Sequence, residues 1–116
     1  MSESKLITGK STIADSAGHV HHIVLVAVKE NLSNDQINDM LNGVYSLSAI
    51  KGVVSVTVGA NIPENSRADG YTHGFDIVLD SKESLVSYAV DPLHVDVKEK
   101  YIKPIISKIM AIDIQI

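Results

Sequence analysis

Two short blocks hold the side chains best suited to chemistry, Gly70-Tyr71-Thr72-His73 and Tyr88-Ala89-Val90-Asp91-Pro92-Leu93-His94. The second sets a phenol and an imidazole six positions apart, on either side of an Asp-Pro pair that has the signature of a helix start. Facing one cavity, such a pair is an acid/base couple, the imidazole accepting a proton and the phenol donating one. His22 and His73 each sit among aliphatic residues, and Asp113 follows a run of Ile, Met and Ala. A carboxylate buried in such a run needs a partner, and one of these histidines can be it.

Each of these residues also has a plainer explanation. His94 can be a packed helix-start residue, Tyr88 a core ring with its hydroxyl at the surface, and a strand histidine a hydrogen-bonded core group. Three histidines and an aspartate suit zinc or iron in type. No two of them have the i, i+4 spacing of a helical ligand pair, and His19 and His21, at the edge of the ordered region, are expected at the surface. No metal site and no cofactor is therefore expected. Gly70 serves a loop end and Gly59 a strand end or bulge, not a phosphate loop. Ser66, Ser84 and Ser87 lack a nucleophile-elbow motif.

The elements that must position these groups follow from periodicity. Val20 to Val28 is β-branched and apolar on both alternating faces, as in a strand buried on both sides. Ser33 and Gln36 form a capping box, after which Ile37, Met40, Leu41, Val44 and Leu47 recur at helical spacing to about Ile50. Gly52 breaks that helix, and Val53 to Ala60 is a strand. The stretch 61–70 is a polar loop containing Pro63, and Thr72 to Asp80 alternates with His73, Phe75, Ile77 and Leu79 on one face. A short helix to Val90, a second begun by Asp91-Pro92 and ended at Pro104, and a last strand from Ile109 complete the chain. The order is βαββαβ, the split ferredoxin-like α+β arrangement. Its helices cover one face of the sheet, yet the strands are apolar on both, so the other face is expected to pack on a second copy as a homodimer.

Length and composition narrow the classes. With 116 residues, 45% of them hydrophobic, the chain has enough for one core. Residues 1–18, rich in Ser, Thr, Gly and Ala, are expected to be a flexible extension, and 19–116 the folded domain. A formal charge of -4 without a basic cluster argues against nucleic acid or an anionic membrane as partner. There is no cysteine, no signal-like apolar stretch and no run near the ~20 residues of a membrane span, which leads to the expectation of a cytoplasmic protein. Aromatic content of 4% points to an aliphatic rather than an aromatic pocket lining.

His22-Ile23-Val24-Leu25, Gly52-Val53, Val58-Gly59, Gly70-Tyr71-Thr72-His73, Tyr88, Asp91-Pro92-Leu93-His94 and Tyr101-Ile102-Lys103-Pro104 fall in an order and spacing that resembles the stress-responsive A/B barrel domain, or dimeric α+β barrel. The resemblance spans roughly residues 20 to 115. It implies a ferredoxin-like protomer whose sheet meets its twin's in a barrel, with a cavity between each sheet and its helices. A plant branch of that family holds polyketide cyclases, which close a poly-β-keto chain by intramolecular aldol condensation with a tyrosine and a histidine. Those two positions fall on Tyr88 and His94. The resemblance also implies that His22 and His73 lie near the same cavity, in a supporting role.

Asp91 as N-cap and Pro92 at N1 place His94 at N3, where the helix dipole disfavours imidazolium. A neutral His94 suits removal of a proton α to a carbonyl, and Tyr88 suits holding the developing enolate. The expected function is thus a small-molecule pocket, for an apolar or polyketide-like ligand, with cofactor-free polyketide-cyclase-like lyase chemistry. The alternative is a non-catalytic, stress-induced protein whose useful property is a stable dimer. A third option, a cofactorless monooxygenase, fits poorly with a chain that has no tryptophan and one arginine, Arg67.

Overall fold

Strand β1 (Val20–Val28) lies between β3 (His73–Leu79) and β4 (Ile106–Gln115), and β2 (Val53–Ala60) completes a four-stranded sheet of order β2-β3-β1-β4. All three pairings are antiparallel. The computed structural model describes residues 17–64 and 67–116. Three helices pack on one face: α1 (Asn34–Tyr45), α2 (Lys82–Val90) and α3 (Pro92–Val97). This is the ferredoxin-like α+β fold read from the sequence. Apart from Ala17 and Gly18, the expected extension over 1–18 lies outside the described residues.

The first helix starts where its side chains dictate. Ser33 Oγ accepts from Gln36 N at 3.1 Å while Ser33 N donates to Gln36 Oε1 at 2.9 Å, a complete capping box. The helix ends sooner than expected, at Tyr45, and residues Ser46–Ala49 tighten into a 3₁₀ turn. Ser46 Oγ donates to the Gly43 carbonyl there, which offers the backbone a local alternative to the α-ladder. Gly52, at φ +93, then turns the chain into β2.

The largest departures follow α3. The expected helix running to Pro104 is only six residues long and opens into a π-helical stretch, Lys98–Ile102, then a 3₁₀ turn, Lys103–Ile105. Proline lacks an N–H and cannot sustain the ladder. The Tyr101 ring packs on α1, where a Cβ on Gly43 would stand 2.9 Å from Tyr101 Cγ. Strand β4 begins at Ile106, three residues before its expected start, because Val28 pairs with Ile106 across an irregularity after Ala27. No alternation marks that junction in the sequence.

The register sorts the two faces. Val20, His22, Val24 and Val26 of β1 share the helix-covered face with Leu79, Ile77, Phe75 and His73 of β3. There Val24, Val26, Phe75, Ile77 and Leu79 are buried with Met40, Val44, Leu47, Tyr88, Val97 and Ile102. The opposite face carries Ile23, Leu25, Met110, Ile112 and Ile114 and no helix. On it His21 Nδ1 donates to Asp76 Oδ2 at 3.0 Å, and the other Asp76 oxygen is buried with no hydrogen-bond donor among the described residues. At the open end of the sheet Gly18 N donates to the Ile116 carbonyl, and Ile116 N to the His19 carbonyl, both at 2.8 Å.

Candidate functional site

Tyr88 ends up against His94 because the chain turns sharply between α2 and α3. Asp91 N donates to the Tyr88 carbonyl at 3.1 Å, and the Asp91 carboxylate caps α3 by accepting from Leu93 N at 2.9 Å. Pro92 at N1 fixes φ for the first turn, so His94 falls at N3 as its position requires. The two rings meet with centroids 4.5 Å apart, tilted by 34°. His22, on the neighbouring strand, approaches Tyr88 edge-on at 5.8 Å.

Hydrogen bonding assigns the free nitrogens. His94 Nδ1 lies 3.0 Å from the Ala89 carbonyl, which can only accept, so Nδ1 carries the proton and Nε2 keeps its lone pair. His22 Nδ1 lies 2.5 Å from Asp113 Oδ1, and the carboxylate orients that imidazole in the same way. Asp113 stands opposite His22 in the β1–β4 register, though it is half exposed in the single chain, not buried as its apolar neighbours suggested.

Burial sets the protonation states. It pushes the Tyr88 phenol well above its ordinary value, so the hydroxyl stays a donor at any physiological pH. Burial is also the main cause that lowers the His94 pKa; the Ala89 hydrogen bond opposes it, and the Lys98 and His22 charges add to it. Desolvation thus favours the same neutral state that the helix dipole is expected to favour.

A cavity of about 220 Å³ joins these groups, walled by Val24, Leu47, Phe75, Ile77, Ile102, Ile109 and Ala111, with His22, Tyr88, His94 and Lys98 as its polar members. Tyr88, His94 and His22 thus share one space, with Asp113 behind His22. His73 does not join them. It pairs with Val26, four residues along β1 from His22, which at the strand rise is about 13 Å away. It lines a separate depression of about 570 Å³ with Leu25, Tyr71, Arg67 and Met110, and its Nδ1 contacts Thr72 Oγ1 at 2.8 Å. The placement of His73 beside the Tyr–His cavity is corrected accordingly: alternation gives the face of a strand residue, not its distance along the strand. Lys98 went unnoticed in the sequence, although its i+4 relation to His94 was there to be read.

An antiparallel β2-β3-β1-β4 sheet, helices on one face and a polar-tipped apolar cavity between the layers define a ferredoxin-like α+β domain. The chain belongs to the stress-responsive A/B barrel domain family, which it matches over residues 20–116. Among curated proteins it is 33% identical over 94 residues to a stress-response A/B barrel domain-containing protein of Arabidopsis thaliana, covering 81% of this chain and 35% of that one. The chain thus spans about a third of that relative's length. It is 23% identical over 83 residues to olivetolic acid cyclase of Cannabis sativa, covering 71% and 82% of the two chains. Among solved structures, hydroxynitrile lyase from Passiflora edulis superposes with a TM-score of 0.77 at 24% identity, over 84% of this chain and 93% of that one. A protein of unknown function from Thermobifida fusca, described as dimeric and ferredoxin-like, gives 0.75 at 19% identity, over 86% and 92%. No helix among the described residues is long and apolar enough to cross a membrane.

Proposed function

We propose that the protein is a homodimer whose Tyr88–His94 cavity binds a small, largely apolar carbonyl compound and catalyses polyketide-cyclase-like lyase chemistry without a cofactor. One observation carries this reading: a phenol held protonated and an imidazole with a free Nε2 line one apolar cavity with their rings 4.5 Å apart. The family relationship to a cyclase supports it.

In the reaction so inferred, His94 Nε2 takes a proton from the carbon α to a carbonyl, and the Tyr88 hydroxyl donates a hydrogen bond to the oxygen that gains charge. The enolate carbon attacks a second carbonyl of the same chain, forming one C–C bond. The resulting alkoxide recovers the proton held by His94, which returns both residues to their starting states. His22, oriented by Asp113, is a positioning group for the substrate carbonyl.

Deuterium exchange tests this without knowledge of the substrate. In D₂O the protein should incorporate deuterium at the α positions of 4-phenyl-2-butanone faster than buffer or heat-denatured protein, as followed by NMR. Exchange at the buffer rate favours the non-catalytic stable dimer instead.

The homodimer rests on the bare sheet face, where Met110, Ile112 and Ile114 are 46%, 54% and 44% exposed in the single chain. Ile112→Lys would bury an unpaired charge at that junction, at a cost of about 3 kcal/mol or more. The dimer should then weaken at least ~100-fold in sedimentation equilibrium. Unchanged association would place the interface elsewhere.

A further inference from the structure

The cavity has one cationic member, Lys98, and no acidic residue among those that line it. Lys98 follows His94 by one helical turn, so both project from the same side of α3 and its π-helical extension into the same space. The other lysines of this segment are engaged with acids one turn away: Lys100 with Asp96 at 3.3 Å and Lys103 with Glu99 at 2.6 Å. Lys98 has no ion pair among the described residues. Phe75, Ile102 and Ile109 are among the apolar walls of the cavity that Lys98 shares. A lysine among such walls has no anionic partner within the cavity until an anionic ligand arrives.

We infer that Lys98 makes this cavity selective for ligands that carry a carboxylate, the acid group sitting at the Lys98 end and the apolar body along Phe75, Ile77 and Ile109. The inference rests on the reading of this cavity as the ligand site and deepens it: the preferred substrate carries a carboxylate in addition to its reacting carbonyl, and a neutral ketone is the weaker ligand. The Lys98 charge also opposes protonation of His94, behind burial as the main cause. The carboxylate neutralises that charge, and so relieves the lysine's opposition to proton uptake by His94 during the reaction.

Two isosteric probes separate charge from shape: 4-ethylbenzoate and 4-ethylbenzamide, titrated calorimetrically into the full chain at pH 7.5 and low salt. The benzoate should bind about tenfold or more tightly than the amide, as a charge-assisted contact requires. Lys98→Met should abolish that preference, the ratio of the two affinities falling to about one, and Lys98→Arg should keep it. Equal affinities in the unaltered protein, or a preference that survives Lys98→Met, would overturn the assignment while the cavity reading stands. Binding of neither probe overturns both. A circular dichroism melt of each variant identifies any loss that comes from unfolding.

Discussion

His94→Gln should slow α-proton exchange by about 10²- to 10⁴-fold, and Tyr88→Phe by a comparable factor, with the double variant little worse than either single one. The turn is held by Asp91, through its N–H on the Tyr88 carbonyl and its carboxylate on Leu93 N, so it survives while the basic nitrogen is lost. Phenylalanine keeps the ring packing against His22 and His94 and removes the donor alone. Rates compared with probe affinity from the same preparations separate chemistry from binding. An exchange rate within twofold of the unaltered protein in both variants would remove the pair from the mechanism.

The pH profile follows from the same burial. His94 has a lowered pKa in the folded chain, so its basic form persists below the ordinary histidine value of about 6.5. Activity should hold at pH 6.5 and fall only at more acid pH. For stability the sign is equally definite, because between the two values the unfolded chain binds a proton that the folded chain does not. The contribution is fully present above about pH 6.5 and is lost as pH falls from there through the folded value. His73, also lowered by burial, adds in the same direction. His94→Gln should flatten part of the acid slope in urea unfolding.

Gly52→Ala should be the most damaging conservative change in the fold. The residue sits at φ +93, where a Cβ carries strain of about 1–2 kcal/mol. That Cβ would also stand 2.6 Å from Ser84 Oγ and 2.7 Å from Ser84 Cβ. Ser84 has little room to retreat, since its hydroxyl donates to Asp80 Oδ1 at 2.5 Å and its N–H donates to the Ser81 cap at 3.0 Å. Overpacking of this kind adds about 1–3 kcal/mol. The melting temperature should fall on the order of 10–20 °C. A second change, Ser84→Gly, should return part of the loss by opening the contact; a melt within about 2 °C of the original for Gly52→Ala alone would refute the packing argument.

The sequence made some of this legible and hid the rest for identifiable reasons. Ser33-x-x-Gln36 and Asp91-Pro92 announce helix starts because capping is local chemistry, and the structure has both. Alternation in 20–28 and 73–79 sorts faces correctly, since side-chain direction depends only on the strand's period. Helix ends were harder. The π-helical stretch after Val97 accompanies tertiary packing, Tyr101 on Gly43 among it, which no window of sequence contains, and the stop at Tyr45 goes with a Ser46 hydroxyl on the Gly43 carbonyl that apolar spacing does not register. The same holds for the site. Tyr88 and His94 are joined by a turn of a few residues, whereas separating His73 from His22 required the register of two strands, and pairing His22 with Asp113 bridged 91 positions of chain.

That last contact has a consequence for how the site is kept in order. Asp113 stands on β4, an edge strand held to the sheet on one side only, by β1. The clasp of Gly18 and His19 on Ile116, with Gln115 Nε2 donating to the Gly18 carbonyl at 3.3 Å, closes that strand just beyond the carboxylate. The orientation of His22 is therefore only as steady as the pairing of one edge strand with β1, and a loosened β4 would register first as wandering of an imidazole in the cavity, before any loss of fold.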